Sequence, residues 1–244
     1  MPIRVDVDVR NRTYFSDQET VEEYSMEGLW PVEATLIEKC FPSPPALVLD
    51  LGCGTGRTTT GLASRGYTTV AIDISAAMIS RARELHPNLE FHQMDATDLK
   101  FDDASFDAVL FSFNGIDCIY PETSRIRCLH EVFRVLRPGG VFVMSTHNIV
   151  GEIFADGPFS LSTYMRLIRL LSDQRGSKVR REGYFRVRKE EDIWLYARVP
   201  SVTITQLREV GFCEPSLRGH KGERKLGILG WRHVHVNFAT RRPA

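Results

Sequence analysis

The sequence predicts an α/β protein, doubly wound around a mostly parallel sheet. Three observations predict it. Short strand-like runs recur (Ala46–Leu49, wholly apolar, then Thr68–Ile74 and Leu89–Met94), and the chain meets an acid at or just beyond the end of each, at Asp50, Asp73 and Asp95. Runs that are apolar without alternation read as strands covered on both faces. Segments with helical spacing lie between them, as parallel crossovers require. Glycines at alternate positions, Gly52, Gly54 and Gly56, follow the first run. A length of 244 residues, 43% hydrophobic and 25% charged, suits one sizeable core with appendages.

The N-terminal stretch 1–44 predicts two short helices, Asp17 to Gly28 and Pro31 to Phe41, with Pro31 suited to a first turn. Tyr14, Phe15, Tyr24 and Trp30 cluster there. The first strand follows Pro44-Pro45 and runs into Asp50-Leu-Gly52-Cys53-Gly54-Thr55-Gly56. The glycines permit a tight bend and close backbone approach. Thr55 should open a helix whose free N–H groups face that bend. A strand, a Gly-rich loop and a helix make a nucleotide cradle at the end of a doubly wound sheet. The dinucleotide pattern G-x-G-x-x-G would place its third glycine at position 57, which is Arg57. A carboxylate at Asp50 disfavours a pyrophosphate and suits a ligand carrying an ammonium group.

Asp73, 17 positions after Gly56 at the foot of the second strand, is placed to accept ribose hydroxyls, with Ile74 beside it. Ser75 should cap a helix whose apolar face is Met78, Ile79, Ala82 and Leu85. The third strand delivers Asp95-Ala96. A fourth strand spans Phe106 to Phe113 and enters the loop Ser112-Phe-Asn114-Gly-Ile-Asp117, followed by Tyr120. A helix over about Thr123–Arg137 should stop at Arg137-Pro138-Gly139-Gly140 and turn into a fifth strand, Val141–Thr146. Residues 149–200 form an insertion with an amphipathic helix (Phe159–Leu171), a basic run (Arg175 to Lys189) and two strands, Tyr184–Arg188 and Trp194–Val199. The helical segment Thr205–Phe212 and a final strand through Val234, Val236 and Phe238 close the chain's pattern.

Asp-Leu-Gly-Cys-Gly-Thr-Gly, the three strand-end acids and His130–Asn148 (HEVFRVLRPGGVFVMSTHN) together resemble the class I S-adenosylmethionine (SAM) dependent methyltransferases of the small-molecule, methyltransferase-11/25-like type. The resemblance covers residues 45–148 and 200–240. It implies a seven-stranded Rossmann-like sheet with the last strand antiparallel. It also implies a helical lid (1–44), a SAM-binding core (45–148), a substrate cap (149–200) and a closing helix and strand pair (201–244). SAM would lie against Asp50, Gly52, Cys53, Gly54, Gly56, Asp73, Ile74, Met78, Asp95, Ala96 and Ser112. In that reading Asp95 meets the adenine amino group and Met78 packs on the ring. The product would be S-adenosylhomocysteine.

The acceptor would lie where the cleft opens, beyond the fourth and fifth strands, near Tyr14, Tyr24, Asn114 and Tyr120. His147 and Asp117 are the candidates for proton removal, should the acceptor carry a proton. His147 reads equally as a hydrogen-bonded strand-end residue, and Asp117 as a positioning group. The loop after the fourth strand lacks the Asn/Asp-Pro-Pro-aromatic motif of base-amine methyltransferases, which favours O- or N-methylation of a small molecule. The alternatives are a tRNA or protein methyltransferase, a silent SAM-binding subunit, and an NAD-linked oxidoreductase.

A formal net charge of zero argues against a dedicated nucleic-acid binder. The basic run reads as an anion site or as a solvated face balanced by Glu190, Glu191 and Asp192. Five scattered cysteines without C-x-x-C suit a reducing cytoplasmic setting, exclude the radical-SAM cluster signature and leave no metal framework. His233 and His235 are two ligands short of a third. No apolar run reaches membrane-spanning length, so no membrane partner is expected, and the chain should act as a monomer or homodimer.

Overall fold

The computed structural model describes residues 6–173, 179, 182–186, 193–219 and 233–244. Nine strands are described: β1 (Leu47–Leu51), β2 (Thr68–Asp73), β3 (Glu90–Gln93), β4 (Phe106–Phe111), β5 (Leu136–Asn148), β6 (Tyr184–Arg186), β7 (Trp194–Arg198), β8 (Ser216–Arg218) and β9 (His235–Arg241). The central order is β3-β2-β1-β4-β5, all parallel, and β9 then joins β5 antiparallel and carries β8 on its outer side. These seven strands match the expected sheet. The β6–β7 hairpin is an addition to it. It joins where β5 outruns β4: the last β4–β5 pair is Phe111↔Met144, and β7 pairs with β5 at His147↔Ala197 and Asn148↔Arg198.

The period of two along each strand divides the core into two layers. Leu49, Leu51, Val109, Phe111, Phe142 and Met144 face Leu129, Val132 and Val135 of α6 (Glu122–Val135) and Leu207 and Val210 of α9 (Pro200–Val210). Their neighbours Val48, Ala108, Leu110, Val141 and Val143 face Val32, Leu36 and Ile37 of α3 (Pro31–Cys40) and Leu62 of α4 (Arg57–Ala63). Burial on both faces is why these strands read as continuous apolar runs.

Several local expectations are corrected. The helix after the glycine loop begins at Arg57 rather than Thr55, because Gly56 (φ 97°) completes the bend in the left-handed region. Leu85, at the end of α5 (Ala76–Leu85), is 40% exposed rather than part of the packed face. α6 ends at Val135 and not at Arg137: Leu136 is already extended and pairs with Phe106. The Arg137–Gly140 stretch therefore lies within β5 as a register irregularity, with Gly139 at φ 78°. His147 is a β5 residue rather than a residue after it. The N-terminal stretch holds three helices, not two: α1 (Val7–Tyr14) precedes α2 (Gln18–Glu23), which Asp17 caps, and α3.

Within the insertion, α7 (Ile149–Ile153) and α8 (Leu161–Asp173) precede the hairpin. Of the basic run, Arg175, Lys178, Arg180, Arg181, Arg188 and Lys189 lie outside the described residues, as do Glu190, Glu191 and Asp192. Among the described residues, no helix is long and apolar enough to cross a membrane. All five cysteines are free.

The N-terminal helices are joined to the sheet by buried polar contacts. Asn11, 3% exposed, donates from Nδ2 to the carbonyls of Cys118 (2.9 Å) and Trp194 (2.7 Å), and its Oδ1 accepts from the Trp194 N–H. One side chain thus pairs with β7 as a neighbouring strand would. On α3, Glu33 and Arg57 form a bidentate ion pair, 2.7 Å on each arm and nearly solvent-free. Arg57 also donates to Gly28 O at 2.9 Å, and the Trp30 N–H donates to Glu33 at 2.7 Å. Removing one partner of a buried pair strands the other charge, so Glu33→Ala should lower unfolding free energy by about 3–5 kcal/mol. A urea transition moved by less than about 1 kcal/mol would show the pair to be dispensable.

Candidate active site

The parallel strands end on one side of the sheet, and a cavity of about 1020 Å³ lies there. The glycine loop forms its floor at one end. Gly52 (φ 61°) packs its α-carbon against Phe111, where a Cβ would sit 2.8 Å from the ring. A Cβ on Gly54 (φ 55°) would meet nothing within 4 Å, so the backbone there borders open cavity. Gly56 does not line the cavity; a side chain on it would collide with His86 and Phe91. Cys53 does line it, but burial raises its thiol well above the ordinary range, and the same holds for Cys118. Neither is poised as a thiolate nucleophile.

The three strand-end acids separate into different environments. Asp73 borders the cavity, and its carboxylate accepts the N–H groups of Gly54 (3.0 Å) and Ser75 (2.9 Å). Burial raises its pKa against the pull of those donors. Asp95 also borders the cavity. Its Oδ1 accepts from Thr97 N, and Arg12 Nη2 of α1 lies 3.5 Å from its Oδ2. Ile74, Met78 and Ala96 complete this end.

Asp50 is different. It is 1% exposed and absent from the cavity wall, and its Oδ2 accepts from the hydroxyls of Thr58 and Thr59, each at 2.7 Å. The carboxylate holds the first turn of α4 from below instead of facing the ligand space. Its Oδ1 has no hydrogen-bond partner, and burial pushes its pKa up to about 6.

The middle of the cavity is roofed by the loop after β4 and by the N-terminal helices. Phe113 (φ 50°) and Asn114 (φ 59°) both occupy the left-handed region, a strained conformation for side-chain-bearing residues. The strain is held by partners: Asn114 N–H donates to Ser145 Oγ, Asn114 Nδ2 lies 3.0 Å from His235 Nδ1, and Ser112 Oγ donates to Glu33. Edge-to-face contacts run from Tyr14 to Phe15, Tyr24, Phe113 and Trp30 at centroid separations of 5.1, 5.7, 5.7 and 5.1 Å. The Arg57 guanidinium lies over the last two rings of that chain.

His147, His235, Glu152, Tyr120, Ile193 and Leu195 line the far end. His147 Nδ1 lies 2.9 Å from Asp117 Oδ2, which also accepts the His147 N–H at 2.6 Å. Asp117 is fully buried and stands behind the wall, with Arg125 Nε 3.9 Å from its other oxygen. A carboxylate on Nδ1 selects, for the neutral ring, the tautomer that carries its proton on Nδ1 and its lone pair on Nε2. The His235 ring meets that of His147 at 4.9 Å, a consequence of the His147↔His235 register between β5 and β9. Burial raises the pKa of Glu152, and His147 opposes that rise.

The structure thus brings Tyr14, Tyr24, Asn114, Tyr120 and Ser112 to one cavity with His147 and the glycine loop. Sequence reasoning missed Arg12, Glu33, Glu152 and the cavity position of His235. Only His235 carried a usable signal, its alternation with Val234 and Val236; the others depend on helix placement that sequence does not express. Among the described residues no cluster of three or more His, Cys, Asp or Glu side chains could hold a metal.

Two outcomes follow from these environments. Asp73→Ala should weaken binding of S-adenosylhomocysteine at least about tenfold through lost hydrogen bonds, measured by calorimetry; unchanged affinity would remove Asp73 from the site. Asp50 holds its proton more tightly in the folded than in the unfolded chain. Its ionisation therefore lowers stability as pH rises from about 4 to about 6, by about 3 kcal/mol. Urea transitions of Asp50→Asn should lack that decline, and an identical pH slope in both proteins would refute the assignment.

Residues 48–140 match the family model described as a methyltransferase domain. Over 120 residues the chain is 40% identical to demethylmenaquinone methyltransferase of Beutenbergia cavernae, covering 49% of this chain and 48% of that protein. Over 113 residues it is 38% identical to the uncharacterized methyltransferase Rv3342 of Mycobacterium tuberculosis, covering 46% and 43% respectively. The chain spans about half the length of the curated relatives it matches. A crystal structure of a SAM-dependent methyltransferase from Methanosarcina mazei superposes with a TM-score of 0.67 over 89% of this chain and 99% of that one. At 21% identity that likeness is one of fold. Residues 48–140 are thus similar to a methyltransferase domain, and the order of the surrounding sheet agrees with the fold of that solved structure.

Proposed function

We propose that this chain transfers a methyl group from SAM to an oxygen or nitrogen of a small-molecule acceptor. The observation that carries the reading is the single cavity bordered by Gly54, Asp73 and Asp95 at one end and by His147 at the other. The residues fit the cofactor on the structure's own terms: the space above Gly54 is open, and Asp73 keeps lone pairs beyond its two backbone donors. SAM supplies an electrophilic methyl on a sulfonium, whose charge is lost in an in-line displacement.

In this reading Asp73 accepts the ribose hydroxyls, Asp95 and Ala96 meet the adenine edge, and Ile74 and Met78 cover its faces. Gly52, Cys53 and Gly54 bring their backbone to the amino-acid portion. Asp50 and Gly56 act from behind the loop, by holding α4 and the bend. Residues 1–44 serve as a lid and 149–200 as the substrate cap, since α1, α2 and β7 all contribute to the wall. Tyr14, Tyr24, Phe113 and Tyr120 exclude water, which favours a transition state in which charge disperses. His147, with its tautomer set by Asp117, accepts the acceptor's proton, and Asn114 and His235 orient the acceptor. The apolar residues Ile193, Leu195 and Val234 beside these groups favour a ring-bearing or aliphatic acceptor over a nucleic-acid backbone.

His147→Gln should lower kcat by about 100-fold or more while the affinity for S-adenosylhomocysteine stays within about threefold. Full turnover in the variant would return His147 to a structural role. The foundation is tested by calorimetric titration with S-adenosylhomocysteine and, in parallel, NAD⁺, followed by methyl-labelled SAM with a panel of phenols, quinols and amines. Micromolar binding of the former alone and label in one acceptor class are expected. Binding of NAD⁺, or SAM binding without turnover across the panel, would overturn the reading.

A further inference from the structure

The amphipathic helix α8 is mounted with its apolar side outward. Leu161, Tyr164, Met165 and Ile168 follow one another at helical i, i+3, i+4 and i+7 spacing and are 78%, 52%, 56% and 61% exposed. Phe159, just before the helix, is 90% exposed. The side turned to the protein carries polar anchors beside the half-buried Leu167: Thr163 is fully buried and donates to Gly157 O at 2.7 Å. Arg166 pairs with Asp156 at 2.8 Å and donates to Glu152 O at 3.2 Å. The usual orientation of a surface helix buries its apolar stripe against the core. Here hydrogen bonds from Thr163 and Arg166 hold the opposite one, leaving four large apolar side chains exposed along the helix and Phe159 exposed just before it.

Charge identifies what would cover these side chains. Residues 161–192, the acidic Glu190, Glu191 and Asp192 included, contain nine Lys and Arg against five Asp and Glu, in a chain whose totals are 31 and 31. The basic excess is therefore local to α8 and the sequence directly after it, and the rest of the chain is net acidic. A helix with a strong apolar face, low overall hydrophobicity and basic flanks is the composition of an element that lies in the plane of a bilayer surface. Anionic headgroups attract such basic flanks within a Debye length.

We propose that α8 docks this protein on an anionic lipid bilayer, with Phe159, Leu161, Tyr164, Met165 and Ile168 entering the headgroup region. This surface binding needs no spanning segment, so the lack of one leaves it untouched. It does not depend on the methyl-transfer reading, and none of these five side chains lines the cavity.

The test is flotation of the purified protein with vesicles of phosphatidylcholine and phosphatidylglycerol, against vesicles of phosphatidylcholine alone. Expected is co-flotation with the anionic vesicles, weakened at least about tenfold by high salt and by Leu161→Glu or Ile168→Glu. These positions are exposed, so the variants should keep the circular dichroism and melting of the parent. Amide hydrogen exchange of the unaltered protein supplies a readout without mutation: anionic vesicles should slow exchange across residues 161–168. Absence of flotation, equal binding to neutral vesicles, or binding untouched in both variants would overturn the proposal. So would a concentration-dependent dimer abolished by those variants, since it would make a second copy the occupant.

Discussion

The Glu33–Arg57 pair is the contact on which the site's construction depends. Both charges are nearly solvent-free, and each is also used by neighbours: Glu33 by Trp30 N–H and Ser112 Oγ, Arg57 by Gly28 O and by the faces of Trp30 and Phe113. Burying two ions costs several kcal/mol apiece, and only such complete bonding offsets the loss of water. The pair ties three separate pieces of chain, α3, the start of α4 and the loop after β4, into one rigid corner. The strained backbone at Phe113 and Asn114 persists because that corner and Ser145 hold it on both sides.

Around this corner the cavity has a chemical direction. Carboxylates and exposed backbone lie at the glycine-loop end, imidazoles and a protonation-prone Glu152 at the other, and aromatic rings between them. Identical residue types take different roles according to depth. Asp50 and Asp73 both come from parallel strands, yet Asp50 belongs to a central strand and lies under α4, where two threonine hydroxyls replace water. Asp73 ends β2, one strand nearer the edge, and opens on the cavity. Asp50 lies inside β1, one residue before its end, whereas Asp73 is the last residue of β2, and that difference in depth separates the acid that supports the helix from the one that borders the cavity.

The central strands were legible in sequence because burial on both faces leaves an unmistakable apolar run, and the glycine loop because only a few residue types can make its turns. Asp73, Ile74, Asp95 and Ala96 border the cavity because strand ends fix their position. Element boundaries were less legible, as at Leu136, whose extended conformation is set by pairing with Phe106 across the sheet. α1 escaped notice because VDVRNRTY has no marked apolar face; its place depends on Asn11 and Arg12 finding partners far away in the chain. Glu33 looked like an ordinary helix-surface acid, since the cation that buries it sits 24 positions on. The hairpin and α8 were readable as elements, but the outward mounting of α8 rests on Thr163 and Arg166, whose partners no local pattern reveals.

The pairing of β5 with β9 has a consequence for how the molecule comes into being. β9 lies beside β5, and its His235 borders the His147 end of the cavity, although nearly ninety positions separate the two strands. During synthesis the glycine loop, β1 to β5 and their helices emerge first, with the β9 edge of β5 still unpaired. A nascent chain at that stage has the glycine-loop end of the cavity but lacks the second imidazole, and it presents an open strand edge to its surroundings. That end of the cavity wall is finished only when β9, made well after β5, slides in against it.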